Sequence, residues 1–232
     1  MNSEYLNKLS EELLLKVKME HNTSEIQLEI ANIAPDHICN YLSNDNNKKA
    51  FWINIYNAYY QILRTQKNIV KPDIYKKKLF SIAGKLLSLD DVEHGILRKN
   101  RYKYSLGFFA NIFPDKYIKQ KAVDTLDYRI HFALNCGAKS CPPIVFFTSK
   151  NINEQLNLAT QSFLEGETEF NDNNKTISTT ALFKWFYADF GGNNGIKEIF
   201  KTQLDKNISD YKINYKKYSW EEDLNNFSYK YS

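Results

Sequence analysis

The chain has 232 residues, 43% of them hydrophobic and 15% aromatic, enough apolar surface to bury a sizeable core. Lys+Arg number 31 against 27 Asp+Glu, a formal net charge of +4; the lysines are scattered in short runs rather than gathered on one stripe, so no nucleic-acid partner is expected. The 3 cysteines are odd in number, which points away from a disulfide framework and toward free thiols, while the absence of a long apolar run excludes a spanning helix and a secretory signal and leaves the expectation of a soluble, cytoplasmic protein with no membrane partner.

In chain order, Leu6, Leu9, Leu13, Leu14 and Val17 mark one face of an amphipathic helix over residues 4–18. Thr23 or Ser24 caps a second helix that ends before Pro35, and a short third helix runs through Ile38 and Leu42. Residues 1–44 are expected to pack as N-terminal helices on a domain over 45–232. The polar run 43–49 reads as a loop.

The segment 50–63 is apolar nearly all round, the mark of a buried helix. Asn54, Asn57 and Gln61 then form a polar stripe inside the protein. Buried amides need partners, so they either hold loop backbone or orient a site histidine. Residues 79–89 read as a hairpin turning at Ala83-Gly84. Ser88 and Asp91 match a capping box, and on the short helix 90–99 Asp90, His94 and Arg98 share a face. The segment 101–127 is aromatic-rich and irregular. Residues 129–135 alternate as a strand, with Ile130, Phe132, Leu134 and Cys136 on one side and Arg129, His131, Ala133 and Asn135 on the other. That parity sends Cys136 to the core and leaves Cys141, in the loop before Pro142-Pro143, accessible. A helix over 151–164, a hairpin over 168–180, an aromatic helix over 181–190 closed by Gly191-Gly192, a helix over 196–204 and a strand over 211–216 complete the chain. The tail packs through Trp220, Leu224 and Phe227.

The 129–143 stretch is the densest in reactive groups. A thiol nucleophile needs a base within hydrogen-bond reach and a third group to orient that base. Cys141 is the candidate nucleophile and His131 or His94 the base, with Glu93, Asp90, Asn54 or Asn57 as orienter. Arg129 and Arg98 are candidates for holding an anionic substrate group, and Asn54, Asn57 and Asn135 for substrate contacts. A metal centre is a poor fit, because the spacing C-x4-C has no second pair. No cofactor is expected. The partner expected is a small molecule or peptide; the oligomeric state is not legible.

Four blocks, residues 50–58, 88–98, 129–143 and Trp220 with Leu224-Asn225, together resemble a family known as domain of unknown function 547, in matching order from about residue 45 to 226. The last block departs from the family pattern, since Glu221, Glu222 and Asp223 separate its Trp from its Leu-Asn. The resemblance implies one α+β domain with His94, His131 and Cys141 inside recurring blocks. It supplies no activity. In plants, similar domains are joined to coiled-coil segments, which favours an interaction role, but no heptad run precedes the domain here.

The expected architecture is α+β: a mainly helical single domain with a small antiparallel sheet. By analogy of fold alone, a buried helix opening on an aromatic-Trp pair looks somewhat like papain and transglutaminase-type thiol enzymes. Those place their cysteine just before the Trp, where this chain has Phe51. The functional expectation is a thiol-dependent hydrolase or acyl-transferase, and the rival expectation is a non-catalytic ligand- or protein-binding scaffold module.

Overall fold

The computed structural model describes residues 3–228. It is a mainly helical α+β structure. The helices are α1 (Ser3–Lys18), α2 (Ser24–Ala31), α3 (Pro35–Tyr41), α4 (Asp45–Gln61), α5 (Asp73–Lys76), α6 (Lys116–Lys121), α7 (Ile152–Glu167), α8 (Leu182–Trp185) and α9 (Gly192–Leu204). Strands β1 (Phe80–Ile82) and β2 (Lys85–Leu87) form an antiparallel hairpin. Strands β3 (Glu169–Asn171), β4 (Thr176–Thr179) and β5 (Lys212–Tyr215) form a second sheet, in which β5 runs parallel to β4 rather than antiparallel. Among the described residues no helix is long and apolar enough to cross a membrane.

Helix α4 is the axis of the larger core. It starts earlier than its apolar run, because Asn44 Oδ1 accepts from the N–H of Asn47 at 3.0 Å and caps it. The polar run 43–49 is therefore mostly the first turns of α4 and not a loop. Lys48 and Lys49 are buried there, and Lys49 donates to Asp127 at 2.8 Å. From Ala50 to Leu63 every side chain is buried, as expected for a helix apolar on all sides. Helix α1 covers one face of α4 with Leu6, Leu13 and Leu14. A smaller second core gathers Phe132, Phe163, Phe183, Phe190 and Phe200, where rings meet at centroid distances such as 4.7 Å for Phe183 and Phe190.

The hairpin turns at Ala83 and Gly84, both at positive φ (48° and 74°), the geometry of a tight two-residue turn. Ser88 and Asp91 close the expected capping box: the Ser88 N–H donates to Asp91 Oδ2 at 2.9 Å and the Asp91 N–H to Ser88 Oγ at 3.1 Å. The helix that follows is a π-helical turn, Asp91–Leu97, a form often found at functional sites.

Residues 129–135 are not a strand. Tyr128–Phe132 is a 3-10 turn, capped by Asp127, whose Oδ1 accepts from the Arg129 N–H at 3.1 Å. Strand alternation assumed one core face and one open face. In fact Ile130, His131, Phe132, Ala133, Leu134 and Asn135 are all buried, because the turn sits between α4 and α7. The aromatic helix expected over 181–190 is also shorter. Only Leu182–Trp185 is helical, and a series of turns carries the chain to Gly191 and α9.

Candidate functional site

A cavity of about 510 Å³ opens between the π turn, the end of the 3-10 turn, the cysteine loop and the segment after α8. His131, His94, Glu93, Cys136 and Cys141 all line it. Four of the residues chosen from sequence as catalytic thus line one cavity. Around them stand Tyr56, Tyr75, Trp185, Phe186, Tyr218 and Trp220.

Behind the lining lies a buried charge network that joins the His94–Arg98 face to a distant acid. Its centre is Asp189, whose side chain is 0% exposed. Asp189 Oδ2 accepts from Arg98 Nε at 2.6 Å and lies 2.9 Å from His131 Nε2. Arg98 is likewise fully buried, and its Nη1 donates to His94 Nδ1 at 2.8 Å. On the face shared by Asp90, His94 and Arg98, the last two are therefore interior and Asp90 is partly exposed. The Arg98 guanidinium also lies 4.6 Å from the Phe186 ring centroid, and the His131 imidazole stacks on the same residue at 3.9 Å.

Donor rules fix the two histidine tautomers. Guanidinium only donates, so His94 Nδ1 carries the lone pair and Nε2 the proton. Glu93 Oε1 lies 3.6 Å from that same Nδ1; with an acceptor on both sides this is proximity and not a hydrogen bond. An ionised carboxylate only accepts, so His131 carries its proton on Nε2, toward Asp189. Its Nδ1, with no hydrogen bond among the described residues, is left as the basic nitrogen. Burial pushes the His131 pKa below its ordinary 6.5, and the nearby Arg98 charge adds to that, against the opposing pull of Asp189. Burial lowers His94 as well. Burial thus favours the neutral form of both rings. Burial alone would raise the Asp189 carboxyl, but the hydrogen bonds from His131 and Arg98 outweigh it and hold it below its ordinary range.

Glu93 sits beside the cavity with Tyr56 donating to its Oε2 at 3.1 Å. Burial pushes it up, and the charges of His94, Arg98, His131 and Lys103, in that order, bring it to a net lowered value. Lys103 is taken by Asp90, with Nζ at 2.7 and 2.8 Å from the two carboxylate oxygens.

The cysteines correct the sequence reading. Cys136 and Cys141 form a disulfide, with Cα atoms 6.1 Å apart, so Cys141 is not a free thiol in this structure and Cys136 is not a separate core residue. The two cysteines are not sent to opposite sides, because the segment before them is a 3-10 turn and not a strand. Gly137, at φ 66°, reverses the chain, and the loop brings position 141 back onto position 136. Cys141 is buried rather than accessible. Its Sγ accepts from the Cys136 N–H at 3.0 Å and contacts the Tyr218 hydroxyl at 3.1 Å. Cys39 is free and exposed. No group of three or more metal-ligating side chains occurs among the described residues.

The remaining candidates hold the frame. Asn54 exchanges two hydrogen bonds with the Phe147 backbone, at 2.8 and 3.0 Å. Asn57 clamps the end of the 3-10 turn, donating to the Ala133 carbonyl and accepting from the Asn135 N–H, both at 2.9 Å. Asn135 spans the cysteine loop, donating to the Pro142 carbonyl and accepting from Gly137 N–H, both at 2.8 Å. Arg129 forks onto Asp127 at 2.8 and 2.6 Å and reaches Asn153 and Asn157 on α7. None of Asn54, Asn57, Asn135, Arg129 or Arg98 lines the cavity. Their side chains are engaged in backbone clamps and ion pairs.

Asp189, Tyr218 and Tyr56 are the site residues that sequence reasoning missed. Asp189 stands in the run Phe186-Tyr187-Ala188-Asp189-Phe190-Gly191-Gly192, where a lone acid among aromatics before a glycine pair was the available signal.

A family model described as Protein of unknown function, DUF547, matches residues 40–164 of the chain. No curated protein and no solved structure matches it.

Proposed function

Since the chain belongs to the DUF547 family, whose description names no activity, we propose its function from the cavity: a thiol-dependent acyl hydrolase or acyl-transferase, with Cys141 as nucleophile and His131 as base. The observation that carries this reading is the buried His131–Asp189 pair at 2.9 Å, with Asp189 anchored by Arg98 and with His131 and Cys141 both lining the cavity. Asp189 selects the tautomer that leaves Nδ1 basic, and the neutral ring is ready to accept a proton.

The disulfide is the resting form in this scheme. An external dithiol supplies two electrons and two protons and yields two thiols. The Cys141 proton then passes to His131 Nδ1. The thiolate, stabilised by the Cys136 N–H and the Tyr218 hydroxyl, adds to an acyl carbonyl, and the leaving group departs with the proton that His131 returns. Water or an acceptor attacks the thioester and restores the thiol. His94 and Glu93 shape the polar side of the cavity.

The rival reading, a ligand-binding module without turnover, is favoured by the disulfide itself, since bonded sulfurs offer no thiolate. A screen of ester, amide and thioester substrates against dithiol-reduced protein separates the two. Turnover is expected in reduced wild type only, falling more than about 10³-fold in Cys141→Ala. No turnover, or equal turnover in the variant, leaves the binding module.

A further inference from the structure

Besides its tyrosines, the cavity is lined by five acidic or basic side chains: Asp90, Glu93, His94, Lys103 and His131. Lys103 is matched by both oxygens of Asp90. His94 has its Nδ1 lone pair committed to Arg98, and His131 is held by Asp189. The Arg98 charge behind the wall is balanced by Asp189 at 2.6 Å. What is left over is one negative charge, Glu93, whose hydrogen-bond partner is a neutral tyrosine hydroxyl. The rest of the wall is largely aromatic. Trp185, Tyr218 and Trp220 form a contiguous cluster with ring centroids 4.7–5.6 Å apart.

We propose that this cavity binds an organic ammonium group, which takes its counter-charge from Glu93 and its packing surface from Tyr75, Trp185 and Tyr218. Ring faces attract cations, and the attraction grows when water is excluded. Two resident lysines already use these rings: Lys103 Nζ lies 5.4 Å from the Tyr75 centroid and Lys71 Nζ 4.5 Å from that of Trp220. An anionic ligand would meet Glu93, and of the two lysines at the rings Lys103 is matched by Asp90 while Lys71 is seated on the exposed Trp220 ring. A neutral ligand would leave a carboxylate without a counter-ion in a mainly apolar wall. The proposal rests on the reading of this cavity as the ligand site, and within the acyl-transfer scheme it makes the substrate an acyl compound bearing an ammonium group.

Three probes of equal shape test it by calorimetric titration of the full chain: butyltrimethylammonium, its neutral carbon isostere and a carboxylate of the same length. The ammonium probe is expected to saturate one site and to bind about tenfold or more tighter than the neutral one. Glu93→Gln, which keeps a partner for Tyr56, is expected to remove that preference, and Trp185→Leu to weaken ammonium binding. Equal binding of the neutral probe, tighter binding of the carboxylate, no saturable ammonium binding, or a preference that survives in Glu93→Gln each overturns the proposal. If Glu93→Gln fails to fold, the wild-type series and Trp185→Leu decide. Binding is read at equilibrium, apart from turnover. Ammonium selectivity without turnover therefore removes the thiol chemistry alone, and turnover without selectivity removes this proposal alone.

Discussion

Asp189 neutralises Arg98, orients His131, and does both from a position with no contact to water. Removing one partner of such a pair strands the other charge in the interior, so Asp189→Asn is expected to cost about 3–5 kcal/mol of stability in urea unfolding. A change under about 1 kcal/mol would mean that Arg98 is compensated elsewhere. The same network sets a pH dependence. His131 has a folded pKa below 6.5, so just below that pH the unfolded chain binds more protons than the folded one. The stability contribution is present above pH 6.5 and is lost as pH falls through the folded value. Asp189, depressed below 3.8, adds a further loss at lower pH. Unfolding free energies measured from pH 7.5 down to 5 should decline, and the decline should flatten in His131→Asn; a wild-type profile that rises as pH falls would contradict the assignment. Little of this was legible in the sequence. The histidines stood out as reactive types, but Asp189 lies 91 residues from Arg98 and 58 from His131, and no local pattern joins them.

Elements ruled by local chemistry were the legible ones. The hairpin at Ala83-Gly84, the Ser88/Asp91 capping box and helix α4 all follow from turn residues, caps and periodicity within a few positions. The 3-10 turn Tyr128–Phe132 did not follow, because its apolar residues alternate by chance while both of its faces are buried. Its placement comes from α4: Asn57 holds it by the Ala133 carbonyl and the Asn135 N–H. Asn57→Ala leaves two buried backbone groups unpaired, at about 1–3 kcal/mol each. Denaturation should show that loss together with impaired turnover in the reduced protein, since His131 rides on the turn. Unchanged stability would show that other contacts fix the turn.

Across the whole molecule, distant segments close the cavity. The tail laces the cysteine loop through the Lys139 N–H to the Glu221 carbonyl at 2.8 Å and the Asp223 N–H to the Gly137 carbonyl at 2.9 Å, while Glu222 pairs with Arg64 at 2.5 Å. Residues 221–223, which separate the two parts of the last resemblance block, are thus structural here. On the other side, the 101–110 segment meets the Asp189 turn, where the Ala188 N–H donates to the Leu106 carbonyl at 2.9 Å. Gly107 sits there at φ 88°, and a Cβ would overlap the Asp189 carboxylate. Gly107→Ala is therefore expected to lower the melting temperature and to shift the pH dependence assigned to His131; wild-type values for both would mean that the turn gives way freely.

The central claim is that reduced Cys141 is a nucleophile served by His131. Intact-protein mass measurement after brief exposure of dithiol-reduced protein to an activated acyl ester tests it most directly. The account predicts one acyl group on Cys141, absent from the unreduced protein and from Cys141→Ala, and formed more slowly in His131→Asn. Acylation of Cys141 no faster than that of a free thiol of pKa ~8.5, or equally fast in His131→Asn, would contradict it.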